Sequence, residues 1–309
     1  MIKKTTNPGI YITETNAFPN SVVAVPTAVP AFIGYTPKAP FQGKSYLMKP
    51  VKVTSMLDFN AFFAFQPPEP GQPAPKQYNP QYYITKQKEV PAKGDHYTIN
   101  GDLYTIEPDP FTIYYLYNSV KMYFQNGGGE AYIVSLGPYG AGSGAGKAPG
   151  TLIQNGNVKV VDMIKGLEAL KKIAEVTMYI CPEATLLNQA DNQAVMQNML
   201  KQCDEMQTAM SIFDIIGGEA PDPVTWSDDI TTFRQNTGSD GLKYSAAYYP
   251  FLNTMITTAD QVDYTNIQAG DTTVLHDLLN PPSAPNPQAQ TVLDAIQNGS
   301  GQTVGQNNR

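Results

Sequence analysis

The chain has 309 residues, enough for two domains or for one domain carrying an insertion. Its 20 Lys and Arg against 27 Asp and Glu leave a net charge of −7, which excludes a global basic field drawing it to nucleic acid or an anionic membrane. With 41% hydrophobic and only 15% charged residues, it is too apolar to be wholly disordered, and its mostly uncharged polar surface suits an assembly subunit better than a free monomer.

Residues 1–29 read as an extended N-terminal arm. Ile10, Tyr11, Ile12, Val22, Val23 and Val25 are β-formers, and the prolines at 8, 19 and 26 forbid helix around them. Such a segment, with its backbone groups unpaired, must find a sheet elsewhere; these six residues are the candidate intersubunit contacts. Pro30 to Tyr35 is a short apolar run that predicts a buried strand opening the first part of the body, 30–65. Residues 66–110 read as an insertion: a proline-rich excursion over 66–80, then two alternating runs, 96–99 and 103–106, around Asn100-Gly101, which predict a small β-hairpin.

From 111 to 254 helical and strand patterns alternate. Helical spacing over 112–125 stops at Asn126 to Gly129, a C-cap and turn, before a strand over 131–136. A helix over 160–174, with Glu168 and Lys172 at i,i+4, precedes a strand over 177–181. A helix over 190–209 precedes a strand over 211–216, and a weaker helix over 226–234 precedes a strand over 244–252. This alternation predicts an α/β fold, a layered sheet flanked by helices. Residues 255–309 lose the rhythm and read as an irregular end with a helical patch at 290–297.

Catalytic signals fail one by one. Gly140 to Gly146 with Lys147 follows a strand as a phosphate loop would, but position 141 is Ala and Ala148 stands where a Ser or Thr should, so a flexible loop is expected there. His96 and His276 are far apart in the chain, and Cys181 and Cys203 lack any metal-ligand spacing and read as packing residues. The methionine stripe 196–210 reads as a core helix face, and Asp162, Asp191, Asp214, Asp228 and Asp229 read as caps or solvated ends. No nucleophile, base and stabiliser can be named together, so no enzyme, cofactor or metal is expected. The N-terminus has lysines but no apolar core, and Pro26 and Pro30 break the most apolar stretch. No export signal or membrane insertion is expected, and synthesis in a reducing cytoplasm is.

Six segments resemble, in order, the sheath proteins of contractile phage tails and contractile injection systems. Pro8-Gly9-Ile10-Tyr11-Ile12-Thr13-Glu14 is similar to the family's opening P-G-V-Y-x-x-E, and Ala31 to Thr36 to its A-F-[VI]-G-x-[TA] strand. Tyr117 to Leu136 resembles its helix, Asn-Gly-Gly and strand, and Tyr179 to Glu183 its strand ending in Pro. Ser211 to Asp214 resembles F-x-[IL]-x-D, and Tyr244 to Leu252 its S-x-x-A-x-Y-[YF]-P-[WF] segment. Beyond 254 only Pro281-Pro282-Ser283 echoes the family, so its C-terminal inner domain is expected to be absent.

The resemblance implies stacked six-fold rings around an inner tube, with neighbouring sheath subunits, the tube, baseplate and cap proteins as partners. It also implies contraction from a metastable extended state, in a phage tail or a released extracellular particle. A non-contractile virion or fibre protein and an α/β enzyme with an unrecognised site are the alternatives.

Overall fold

The computed structural model describes residues 27–38, 40–66, 75–258, 261–269 and 275–297. Strand β1 (Pro30–Thr36) is followed by a two-stranded ribbon of β2 (Pro40–Phe41) and β3 (Lys44–Ser45), then β4 (Val51–Val53) and α1 (Met56–Phe63). Next come β5 (Tyr82–Gln87), β6 (Tyr97–Ile99) and β7 (Asp102–Pro108), and then α2 (Leu116–Gln125), β8 (Ala131–Pro138) and α3 (Val160–Ala169). The chain continues through β9 (Met178–Ile180), α4 (Gln189–Met206), β10 (Met210–Asp214), α5 (Trp226–Thr237) and β11 (Ser245–Tyr248). It ends with β12 (Ile267–Ala269), α6 (Leu275–Leu279) and α7 (Pro287–Gln297).

The main sheet has the order β11-β10-β9-β1-β8-β4, parallel throughout except for antiparallel β4. A mainly parallel sheet needs helices on both faces, and β1 is accordingly buried along its whole length. Side-chain alternation divides its residues. Ala31, Ile33 and Tyr35 join Tyr132, Val134 and Leu136 of β8 in a core closed by Met163 and Leu167 of α3 and by Val195, Met196 and Met199 of α4. Phe32 and Ile133 point the other way, into a core closed by Phe59 and Phe63 of α1 and Leu116, Tyr117 and Val120 of α2. Met196 and Met199 of the methionine stripe are thus core while Met206 and Met210 are half-buried, and Cys181 and Cys203 are both buried. Thr36 and Ser135, buried between the strands, satisfy each other at 2.6 Å.

The expected hairpin is present. Asn100 and Gly101 take φ of 51° and 84°, the left-handed pair that a two-residue turn requires, and join β6 to β7. The pattern did not announce β5, which pairs with β7 and, on its other side, with parallel β12. The stretch 255–309, expected to be irregular, therefore supplies a strand to the hairpin's sheet. Lys76 ties this strand down, its ammonium reaching Asp263, Thr265 and Asn266 at 2.9 to 3.0 Å.

Several boundaries differ for physical reasons. The helix expected from 112 begins at Leu116, because Asp109 caps a 3-10 turn over Pro110–Thr112 and the Asn155 amide holds the Ile113 carbonyl at 2.8 Å in extended chain. The helix expected to reach 174 tightens to a 3-10 turn at Leu170–Lys172, which rotates Lys172 off the i,i+4 row of Glu168. Lys171 instead pairs with Glu205 of α4 at 3.3 Å. The last strand ends at Tyr248, ahead of Pro250, which has no N–H for a ladder.

Candidate assembly surface

The candidate arm residues Ile10, Tyr11, Ile12, Val22, Val23 and Val25 lie outside the described residues. The arm's root is described. Val29 is buried, its N–H donates to Thr177 Oγ1 at 2.8 Å, and its carbonyl accepts from the Thr177 N–H at 2.9 Å. Ala28 holds φ at 61°, a left-handed conformation that turns the chain as it enters the body.

The two edges of the main sheet differ in chemistry. At one, β4 is only three residues long, and Lys52 holds both Glu130 and Glu175 at 2.8 Å, the kind of charge that blunts an edge. At the other, β11 reads Ser-Ala-Ala-Tyr, carries no charge and, among the described residues, pairs with β10 on one side only. Large apolar side chains stand exposed on it and on the segment that follows: Tyr248 is 60% exposed, Leu252 82% and Met255 93%. The segment is fixed from beneath. Tyr249 donates its hydroxyl to Asp229 of α5 at 3.0 Å, and Phe251 N–H bonds the Gly218 carbonyl at 2.9 Å. Burial, then Asp229, pushes the Tyr249 hydroxyl up to about 12. The body therefore holds an uncharged, apolar-flanked strand edge in a fixed position.

The glycine-rich segment is not the free loop its composition predicts. Asp109, fully buried at the end of β7, accepts from Ser143 Oγ at 2.8 Å and the Gly144 N–H at 3.1 Å. Lys147 pairs with Glu107 at 2.7 Å and donates its N–H to the Pro108 carbonyl. The segment staples the hairpin's sheet to the body, and its lysine is already spent on that contact. Asp162, Asp191, Asp228 and Asp229 stand in the first turns of their helices, where a carboxylate meets the positive end of the dipole. His96 is exposed beside β6, and the His276 side chain lies outside what the structure describes. Among the described residues no group of three or more His, Cys, Asp or Glu is disposed to hold a metal, and no helix is long and apolar enough to cross a membrane.

One buried acid escaped the pattern altogether. Glu183, in a 3-10 turn after β9, is fully buried; its Oε1 accepts the Leu116 N–H at 2.8 Å and the Tyr115 N–H at 3.2 Å, capping α2 from outside that helix. Its Oε2 lies against Gly34, where a Cβ would strike it, so the glycine of β1 is required by close approach. Burial pushes this carboxyl up to about 7 against the pull of the amides. Its only trace in the sequence is a Pro-Glu pair after an apolar strand.

The fold and surface together define a layered α/β protein with a hairpin sheet stapled to its body. No protein-family model and no curated protein matches the chain. Among solved structures it is similar to a chain of the cryo-EM structure of the anti-feeding prophage baseplate, six-fold symmetrised, at 20% identity and a TM-score of 0.36, covering 79% of this chain and 46% of that one. It is also similar to a chain of the anti-feeding prophage helical sheath in its contracted state, at 19% identity and a TM-score of 0.37, covering 79% and 45%. The chain thus spans a little under half the length of each.

Proposed function

We propose that the chain is a structural subunit of a contractile sheath, assembling as stacked six-fold rings around an inner tube. The observation that carries this reading is the ordered series of sheath-like segments, five of which form one continuous piece of the body. Ala31 to Thr36 lies in β1, Tyr117 to Leu136 forms most of α2 and of β8 beside β1, and Tyr179 to Glu183 ends β9 and delivers the acid that caps α2. Ser211 to Asp214 lies in β10, and Tyr244 to Leu252 contains β11. The sixth opens the arm.

In this reading the arm tethers neighbours by adding a strand to another copy's sheet, while the bodies move as rigid units between two lattices. The body holds no nucleotide loop of the standard spelling, so the work comes from metastability. Burying about 100 Å² more apolar surface per subunit on contraction would release about 2.5 kcal/mol each, multiplied over coupled subunits. Neighbouring copies, the inner tube, and the baseplate and cap proteins are the partners, and the particle is a phage tail or a released injection particle.

Electron microscopy of purified particles tests the reading. Rods of two lengths are expected, and deleting residues 1–29 is expected to abolish them. A single length under every condition would favour the non-contractile alternative, and monomers alone would refute both.

A further inference from the structure

We propose that Lys76 and Asn266 join in an intramolecular isopeptide bond, with Asp263 as the catalytic carboxylate. The proposal is independent of the assembly reading and concerns how the stretch that carries β12 is fastened. Lys76 stands on the chain leading into β5, and Asn266 ends a 3-10 turn, Tyr264–Asn266, immediately before β12. Pairing of Ile267 with Tyr82 brings the two residues together across 190 positions of sequence. Lys76 Nζ lies 2.9 Å from Asn266 Oδ1 and 3.0 Å from Asp263 Oδ1. The amide carbon is one C=O bond further on, within about 4 Å of the amine nitrogen. A nucleophile, a carbonyl to attack and a group to move protons are therefore in one place.

Each part of the amide is held. Its Oδ1 also accepts the Asp263 N–H at 3.0 Å, a fixed donor where negative charge develops during attack. Its Nδ2 donates to the Pro80 carbonyl at 2.8 Å and to Asn79 Oδ1 at 2.7 Å, which sets the end of the amide that leaves. Asn266 is buried, whereas Lys76 and Asn79 also line an open groove of about 330 Å³ through which ammonia can depart. Asp263 is positioned by Thr265, whose N–H donates to its Oδ1 at 2.8 Å and whose hydroxyl donates to the same oxygen. In the reaction the Lys76 ammonium gives one proton to Asp263, and the freed lone pair attacks Asn266 Cγ. A second proton passes from the attacking nitrogen to Nδ2, the Cγ–Nδ2 bond breaks, and ammonia leaves as ammonium with the proton that Asp263 held. One C–N bond forms as another breaks, and nothing is oxidised or reduced. Burial would raise the Asp263 carboxyl, but Thr265 and Lys76 hold it below the usual carboxylate range, so the ion pair is the resting state and conversion is slow.

Intact-mass measurement of the folded full chain tests this. On prolonged incubation at neutral pH, a growing share of the chain is expected to weigh less than its sequence by one ammonia. Tryptic digestion should then leave Lys76 uncut, its peptide joined to the one that carries Asn266. Lys76→Arg, which keeps the positive charge, and Asp263→Asn, which keeps the shape, should both stay at full mass, as should the unsubstituted chain held in urea. A folded chain that keeps the mass of its sequence overturns the bond and leaves an ion pair, whatever the variants do. Ammonia loss that survives Lys76→Arg, as a succinimide at Asn126-Gly127 would give, overturns it as well. Loss of one water with the link on Asp263 overturns the assignment to Asn266, and conversion in Asp263→Asn or in urea overturns the role given to Asp263 or to the folded geometry.

Discussion

Removing the charge of Glu183 should change how the protein responds to pH more than how it folds. The carboxyl is fully buried, and burial raises it from an ordinary 4.5 to about 7, with the Leu116 and Tyr115 amides opposing the rise. Between those two values the folded state keeps a proton that the unfolded chain has released, so this group's contribution to stability is full below pH 4.5 and is lost as pH rises to 7. The loss is about 3 kcal/mol at pH 8, at about 1.4 kcal/mol for each tenfold. Glu183→Gln keeps an oxygen for both amides and cannot titrate. Its stability relative to the unsubstituted chain should therefore improve by about 3 kcal/mol between pH 4.5 and pH 8. Neighbouring groups do not blur the window: burial lifts the Cys181 thiol and the Tyr139 hydroxyl well above it, and Glu219, also raised by burial, titrates alike in both chains. Urea unfolding of the two chains at four pH values between 4.5 and 8 reads the difference directly. Two parallel curves would show that Glu183 carries the same charge folded and unfolded, and would refute the argument from burial.

Gly34→Ala should destabilise by about 3 kcal/mol, at the upper end of overpacking costs, because the new methyl meets the Glu183 carboxylate and Leu116 Cδ1 in a core that cannot open; chemical denaturation checks it. Asp109→Ala removes the acceptor of the Phe111, Ser143 and Gly144 bonds and should cost about 2 to 3 kcal/mol. In that variant trypsin should cut after Lys147 at a concentration that leaves the unsubstituted chain intact, and equal resistance would mean that the staple is held elsewhere.

Local pattern and tertiary pairing divided the information in this protein. The alternation of Ile33-type apolar runs with helical stripes such as Met196, Met199 and Cys203 announced the α/β layers, because helix and strand periods are fixed by backbone geometry within a few residues. Asn100-Gly101 announced its hairpin for the same reason. No local pattern announced that β12 would cross some 180 residues to pair with β5, or that the glycine run would wrap Asp109. Both depend on partners far away in sequence, and neither Lys76 nor Asp109 differs from any other charged residue until those partners arrive. Glu183 is the sharpest case. Sequence alone determined that an acid follows a short apolar strand; only the tertiary packing, by removing water and supplying two amides of another helix, decided that it would be a buried cap with a carboxyl near neutrality. The same holds for β11, a strand by composition but an open edge only because the sheet ends there.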